Sequence, residues 1–198
     1  MKKFIHTLYY ISGKIYIPSS LLKVKNTILH ISDTPSNIYP ELIRLVKKLS
    51  PDYIIHTGDV VDNIKLELYP FKLKEYEKLS INFIKSLTPL VKKEVIIVPG
   101  NHDYPYLLKD IPKVKLINEG ETISINSTTI GLAHKFEKLP SKECSFYLYG
   151  HDKSSSSKKF LNGIKNIHVI ELDTHKVFHL KYPINTDSYR LLRTKIGM

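Results

Sequence analysis

Through the first half of the chain, short apolar runs alternate with longer amphipathic stretches, and each run stops at a polar or glycine-bearing corner. Residues 27–32 run into Asp33, 53–57 into Gly58-Asp59, 94–99 into Gly100-Asn101-His102-Asp103, and 145–149 into Gly150-His151. Unbroken apolar runs of this length, bounded by turn residues, predict strands buried on both faces. Between the first two, Leu42, Ile43, Leu45, Val46 and Leu49 recur at helical spacing after Pro40, and Ser50-Pro51 ends the pattern. That predicts a helix over 40–49, closed by the bias against helical backbone before proline. A second, less regular helix is predicted over 73–90, where Tyr76, Leu79, Ile81, Phe83, Ile84 and Leu87 cover a broad apolar face before Pro89. Strand, helix and strand in succession read as an α/β layer structure.

After Asp103 the pattern shortens. Runs at 114–120, 122–125 and 129–133, the last ending at His134, carry turn residues between them and predict an antiparallel half. Residues 167–172 and 177–182, joined through Asp173-Thr174-His175-Lys176, predict a closing hairpin. The stretch 4–24 is expected to form a small hairpin around Gly13-Lys14, residues 154–159 a mobile Ser- and Lys-rich loop, and the chain beyond Pro183 a loosely packed tail. No repeat or linker divides the sequence, so 1–198 is expected to be one domain, with about 1–25 an amino-terminal addition and about 184–198 a carboxy-terminal tail.

Composition narrows the function classes. With 198 residues and 42% hydrophobic content the chain can bury a substantial core. Its net charge of +11 would attract phosphate-bearing partners, nucleic acid among them. Only Arg44, Arg190 and Arg193 among the 30 cationic residues are arginine, however, and bidentate phosphate or base readers favour arginine, so most of the charge reads as a solvated lysine surface. Cys144 is the sole cysteine, which excludes an internal disulfide and fits a reducing cytoplasm. The first ten residues lack the apolar core of a signal sequence, and no run reaches the length of a membrane span, so no membrane association is expected.

What remains is a series of ligand-type residues at strand ends: Asp33, Gly58-Asp59-Val60-Val61-Asp62, Gly100-Asn101-His102-Asp103, His134 and Gly150-His151. Ligands gather where the carboxyl ends of strands meet in α/β folds. Carboxylate and amide oxygens mixed with imidazoles suit Mn, Fe or Zn and argue against a thiolate zinc site. In this order and context the sequence resembles the calcineurin-like metallophosphoesterases, whose blocks run D-x-H, G-D-x-x-D, G-N-H-D/E, a lone H and G-H-x-H; the resemblance covers about residues 28–182.

The resemblance implies an α/β fold of two sheets in a β-sandwich flanked by helices. It also implies hydrolysis of a phosphomonoester or phosphodiester by a metal-activated water. Asp59 would bridge two metals, Asn101, His134 and His151 would complete the second metal's site, and Asp33 would serve the first. His102, held by Asp103, would be the general acid or leaving-group stabiliser, and Asp62 would orient the Asp59 loop. Two departures fall in the first metal site: Asp33-Thr34-Pro35 stands for D-x-H, and Gly150-His151-Asp152-Lys153 for G-H-x-H. Both first-site histidines are missing, so one firmly bound ion with a second weak or absent is expected. Lys153 is expected near the vacated site, paired with Asp33 and facing phosphate. The alternative is a catalytically impaired member that binds a phosphate-containing ligand or nucleic acid. His30 and His56, inside apolar runs, are expected to be structural; the stretches around Tyr69 and Tyr104-Pro105-Tyr106 are expected to pack, the alternative being that they line a substrate pocket near the metal corner; and the 66–73 and 154–159 segments are expected to shape specificity. Oligomeric state leaves no trace in the pattern.

Overall fold

The computed structural model describes residues 2–153 and 156–190. Two sheets stack face to face, with helices on the outer face of the larger one. The larger sheet takes the order β10-β9-β1-β2-β3-β4. Its strands are β1 (Thr27–Ile31), β2 (Tyr53–His56), β3 (Glu94–Ile97), β4 (Val114–Leu116), β9 (Ile167–Glu171) and β10 (Val177–Leu180). The smaller has the order β5-β6-β7-β8, built from β5 (Thr122–Ile125), β6 (Thr128–Leu132), β7 (Phe146–Tyr149) and β8 (Phe160–Asn162). Helices α2 (Tyr39–Leu49) and α3 (Leu73–Leu87) fill the connections β1 to β2 and β2 to β3, which makes those pairs parallel.

Both faces of the central strands are buried, as unbroken apolar runs require. Leu29, Ile31, Ile54, Val95 and Ile97 point to the helices, where they meet Leu42, Leu45, Val46, Phe83 and Ile84. The alternate residues Ile28, Ile55, Ile96 and Ile170 point the other way and pack on Ile130, Leu132, Phe146 and Leu148 of the smaller sheet. Tyr39 and Phe83 stack at 3.8 Å between ring centroids and tie α2 to α3.

Several expectations are corrected here. The second half is mixed rather than antiparallel: β5–β6, β9–β10 and β9–β1 pair antiparallel, whereas β4 lies parallel to β3, and β6, β7 and β8 run parallel to one another. The reason is connection length, because the segments between β6 and β7 and between β7 and β8 are long enough to cross back over the sheet. The amino-terminal hairpin is instead a helix, α1 (Lys2–Ile11), ended by Gly13 at φ +71°. The carboxy-terminal stretch is not loose up to its last described residue: Thr186–Arg190 forms α4 with Arg190 buried. Residues 191–198, and Ser154 and Ser155 of the expected mobile loop, lie outside the described residues. Among the described residues no helix is long and apolar enough to cross a membrane.

Candidate metal centre

Every motif corner lands at the carboxyl end of its strand, along one edge where the two sheets meet. The larger sheet brings Asp33 after β1, Asp59 after β2 and Asn101 after β3; the smaller brings His134 after β6 and His151 after β7. The backbone bends sharply to present them: Asp33, Asp59 and His151 have φ of 49°, 55° and 67°. Left-handed backbone at three non-glycine ligand-type residues is strain that the surrounding bonds must hold. Gly58 sits at φ 96°, and a Cβ there would lie 2.5 Å from His134 Nδ1. A Cβ on Gly150 would collide with Ser32 Oγ and Asp33 Oδ2, so this glycine lets the two sheets approach across the site.

Four donor atoms converge on one side of Asp59. His134 Nε2 lies 3.5 Å from Asp59 Oδ2, 3.2 Å from Asn101 Oδ1 and 3.1 Å from His151 Nδ1. His134 Nδ1 donates to the Thr57 carbonyl at 2.7 Å, which fixes the ring and aims Nε2 inward. Its backbone N–H and that of Lys135 both donate to Glu119 Oε1 at 3.0 Å. Two imidazole nitrogens, an amide oxygen and a carboxylate oxygen, with Asp59 and His134 buried and Asn101 and His151 half-buried, make a donor set that fits a divalent transition metal.

The other side of Asp59 differs. Asp33, Asp59 and Asp62 bring three buried carboxylates together with no imidazole among them. Asp33 Oδ2 accepts from Ser32 Oγ at 2.5 Å and from the His151 N–H at 3.1 Å. Pro35 is buried and offers no ligand. Lys153 does not reach Asp33: its ammonium pairs with Asp187 Oδ2 at 2.8 Å on the exposed face of α4. The cation that does enter is Lys65, whose Nζ pairs with Asp62 Oδ1. Arg190 supports the same corner from below, donating from Nε to the Asp33 carbonyl at 2.6 Å, from Nη2 to Ser32 O at 3.0 Å and from Nη1 to Ile164 O at 2.9 Å. Its guanidinium also stacks 3.8 Å from the Tyr182 ring centroid.

Charge follows this division. Burial opposes a charged His134, but Asp59, the hydrogen bond to it, Asp33 and the Thr57 carbonyl outweigh burial and push the imidazole up to about 10. Burial likewise opposes the Asp59 carboxylate, yet His134, His102 and Lys65 hold it well below the usual range. Asp62 is pushed up to about 8 by burial and by its neighbours Asp33 and Asp59, with Lys65 working against the rise. Burial lowers His102 and His151.

Asp103 differs from its expected part. It does not orient the His102 ring; its carboxylate accepts from the N–H groups of Asp59 and Val60 at 2.8 Å and of Gly100 at 2.9 Å, and from Tyr76 Oη at 2.8 Å. It therefore clamps the Asp59 corner to the Asn101 corner and is a positioning residue, with burial and the nearby Asp59 pushing it up to about 6. The His102 ring instead lies 3.2 Å from the Asn101 amide nitrogen and 3.8 Å from Glu67 Oε2, while its backbone N–H donates to Asp59 Oδ1 at 3.0 Å. Glu67 Oε2 also accepts from Asn101 Nδ2 at 2.6 Å, leaving the amide oxygen to face His134.

Sequence reasoning missed Lys65, Glu67, Glu119 and Arg190. Lys65 had a local signal, three residues after Asp62 in the motif loop; Arg190 had none beyond being a rare arginine in a lysine-rich chain. His30 and His56 are structural as expected: His30 bridges Thr57 Oγ1 at 3.0 Å and His168 at 3.1 Å, and His56 bonds Thr34 Oγ1 at 2.9 Å. Tyr104 and Tyr106 are not packing residues, being 44% and 69% exposed.

No curated protein matches the sequence. The fold is similar to that of Yfce, a phosphoesterase from E. coli, at 13% identity and TM-score 0.51, covering 79% of this chain and 98% of that one. A protein of unknown function, AQ665 from Aquifex aeolicus, is 18% identical at TM-score 0.44, covering 78% of this chain and 96% of that one. A family model for calcineurin-like phosphoesterases matches residues 26–194, from the approach to β1 to beyond Arg190. Taken with the two-sheet fold and the motif corners gathered at its edge, that match places the chain in the calcineurin-like phosphoesterase family.

Proposed function

We propose that the protein hydrolyses a phosphomonoester or phosphodiester using one firmly held divalent ion, Mn, Fe or Zn, carried by Asp59, Asn101, His134 and His151. The observation that supports this most directly is the convergence of four donor atoms around His134 Nε2 beside an acidic trio that lacks both family histidines. Such an ion, when bound, supplies Lewis acidity toward a phosphoryl oxygen and lowers the pKa of water.

The chain's own groups supply the rest. Thr57 and Glu119 hold His134 in one orientation, and Asp103 keeps Asp59 and Gly100 in register. Water attacks phosphorus, the ester P–O bond breaks on the opposite side, and the departing oxygen needs a hydrogen-bond donor. His102, kept neutral by burial at ordinary pH, offers its ring N–H for that task. Lys65 brings a fixed positive charge to the carboxylates on the Asp33 side, where Asp33 alone is left of the first ion's separate ligands. Cys144 is buried and suits a reducing compartment such as the cytoplasm.

The test is hydrolysis of bis(4-nitrophenyl) phosphate with and without Mn, with Asp59→Asn run alongside. Mn-dependent turnover should fall at least about a hundredfold in Asp59→Asn, the scale expected when a main electrostatic support is removed. Equal, negligible rates in both proteins favour a second reading, which the loss of histidine at Pro35 and Lys153 supports: an impaired family member that binds a phosphate-containing ligand or nucleic acid.

A further inference from the structure

Beside the metal centre, on the His102 side, a cavity of about 280 Å³ opens between the 66–73 segment and the turn that begins at Tyr104. Leu66, Pro70, Leu73 and Tyr104 give it apolar walls, while Asn101, Glu67 and Asp103 form its polar edge. Asn101 thus belongs both to the cavity and to the candidate metal centre, so a group filling the cavity would be continuous with anything held at the centre. Tyr104, one of those walls, is itself 44% exposed, and Phe71, within the same 66–73 segment, is 79% exposed. The aromatic rings form two pairs, Tyr69 with Phe71 and Tyr104 with Tyr106, at centroid separations of 5.9 and 6.0 Å.

We propose that this cavity is the subsite for the organic group of the phosphate ester, and that the group is flat and apolar, an aryl or nucleoside moiety, rather than a second phosphate or an acidic sugar. The inference rests on the phosphoesterase reading and adds the substrate class to it. Three features carry it. Apolar walls that include the Tyr104 ring favour a planar group by contact and stacking. Asn101 and Glu67, which line the cavity, lie 3.2 and 3.8 Å from the ring of His102, the donor proposed for the departing oxygen, so the ester oxygen would lie between the centre and the pocket. Glu67, 59% exposed at the polar edge, repels an anionic substituent and accepts a hydrogen bond from a hydroxyl or amino group.

Non-hydrolysable phosphonates separate the pocket from the centre. In titrations of the Mn-loaded full-length protein, phenylphosphonate should bind at least about tenfold more tightly than methylphosphonate, the discrimination that extra apolar groups gain in a fitted pocket. Tyr104→Ala combined with Leu73→Ala should bring the two within about threefold of each other while leaving the methylphosphonate affinity unchanged, because neither residue is among the four that would hold the ion. Equal binding of the two phosphonates by the wild-type protein, or a preference that survives the double substitution, overturns the subsite. Failure of both phosphonates to bind overturns the phosphoesterase reading itself, and the subsite with it.

Discussion

His134 is where the chemistry and the stability of this protein are coupled. Its imidazole, ordinarily near 6.5, is raised to about 10 by Asp59 and Asp33 against the opposing effect of burial. A raised folded-state value means the proton is held more tightly in the native protein. The stabilisation is therefore fully present below pH 6.5 and is lost as pH rises through about 10. Asp62, raised from 3.8 to about 8, loses its contribution earlier, on the climb through pH 8. In EDTA, the Tm of the wild-type protein should fall across both windows, whereas His134→Gln should keep the decline to pH 8 and lose the one between 8 and 10. Differential scanning fluorimetry across pH 5–10.5 checks this, and a His134→Gln curve that still drops above pH 8 contradicts the assignment. Mn should offset the decline in the wild type, since the ion requires the deprotonated ring.

At the scale of elements, α4 is the unexpected contributor. Five residues of helix would be marginal in isolation, so its docking depends on what Arg190 gains. That side chain satisfies the carbonyls of Ser32, Asp33 and Ile164 in a buried setting, and two of the three lie on the strained turn that carries Asp33. Arg190→Met keeps much of the apolar stem and leaves three carbonyls without their charged donor. The expected loss is about 3 kcal/mol in urea unfolding, in the range for charged hydrogen bonds whose partners stay buried. A change below about 1 kcal/mol would mean that α4 is not docked in solution. The aspartate corner thus depends on a carboxy-terminal residue 157 positions away in sequence.

The whole molecule is a sandwich whose two layers each own part of the centre. Asp33, Asp59 and Asn101 belong to the larger sheet, His134 and His151 to the smaller, and the apolar layer between them sets their separation. Leu148 is fully buried in that layer, one residue from Tyr149 and three from His151. Leu148→Ala should destabilise the fold by about 2–5 kcal/mol, the range for a large-to-small core change. It should also weaken Mn binding by about tenfold, because a change that loosens one layer against the other spreads the ligands. Calorimetric titration with Mn measures the second effect. An unchanged Mn affinity in a destabilised Leu148→Ala protein would show that the sheets are fixed by other contacts.

The layer class, the four strand-end corners, helices α2 and α3 and the closing hairpin were legible in the chain alone, because each is written in local periodicity and in turn residues that stop a run. So were the identities of the ligand-type residues Asp33, Asp59, Asn101, His134 and His151, through motif blocks that need particular residues at fixed offsets. Which of these converge was settled by packing. Sheet direction in the second half follows from how long connections cross back, and α1 replaced an expected hairpin whose alternation was weak. The partners of Lys153, Asp103, Lys65 and Arg190 were illegible for one physical reason: a long or charged side chain can satisfy itself with any group the fold brings within reach. Periodicity records which face of an element is buried, and the contacts made there are chosen only when distant strands, loops and helices pack together.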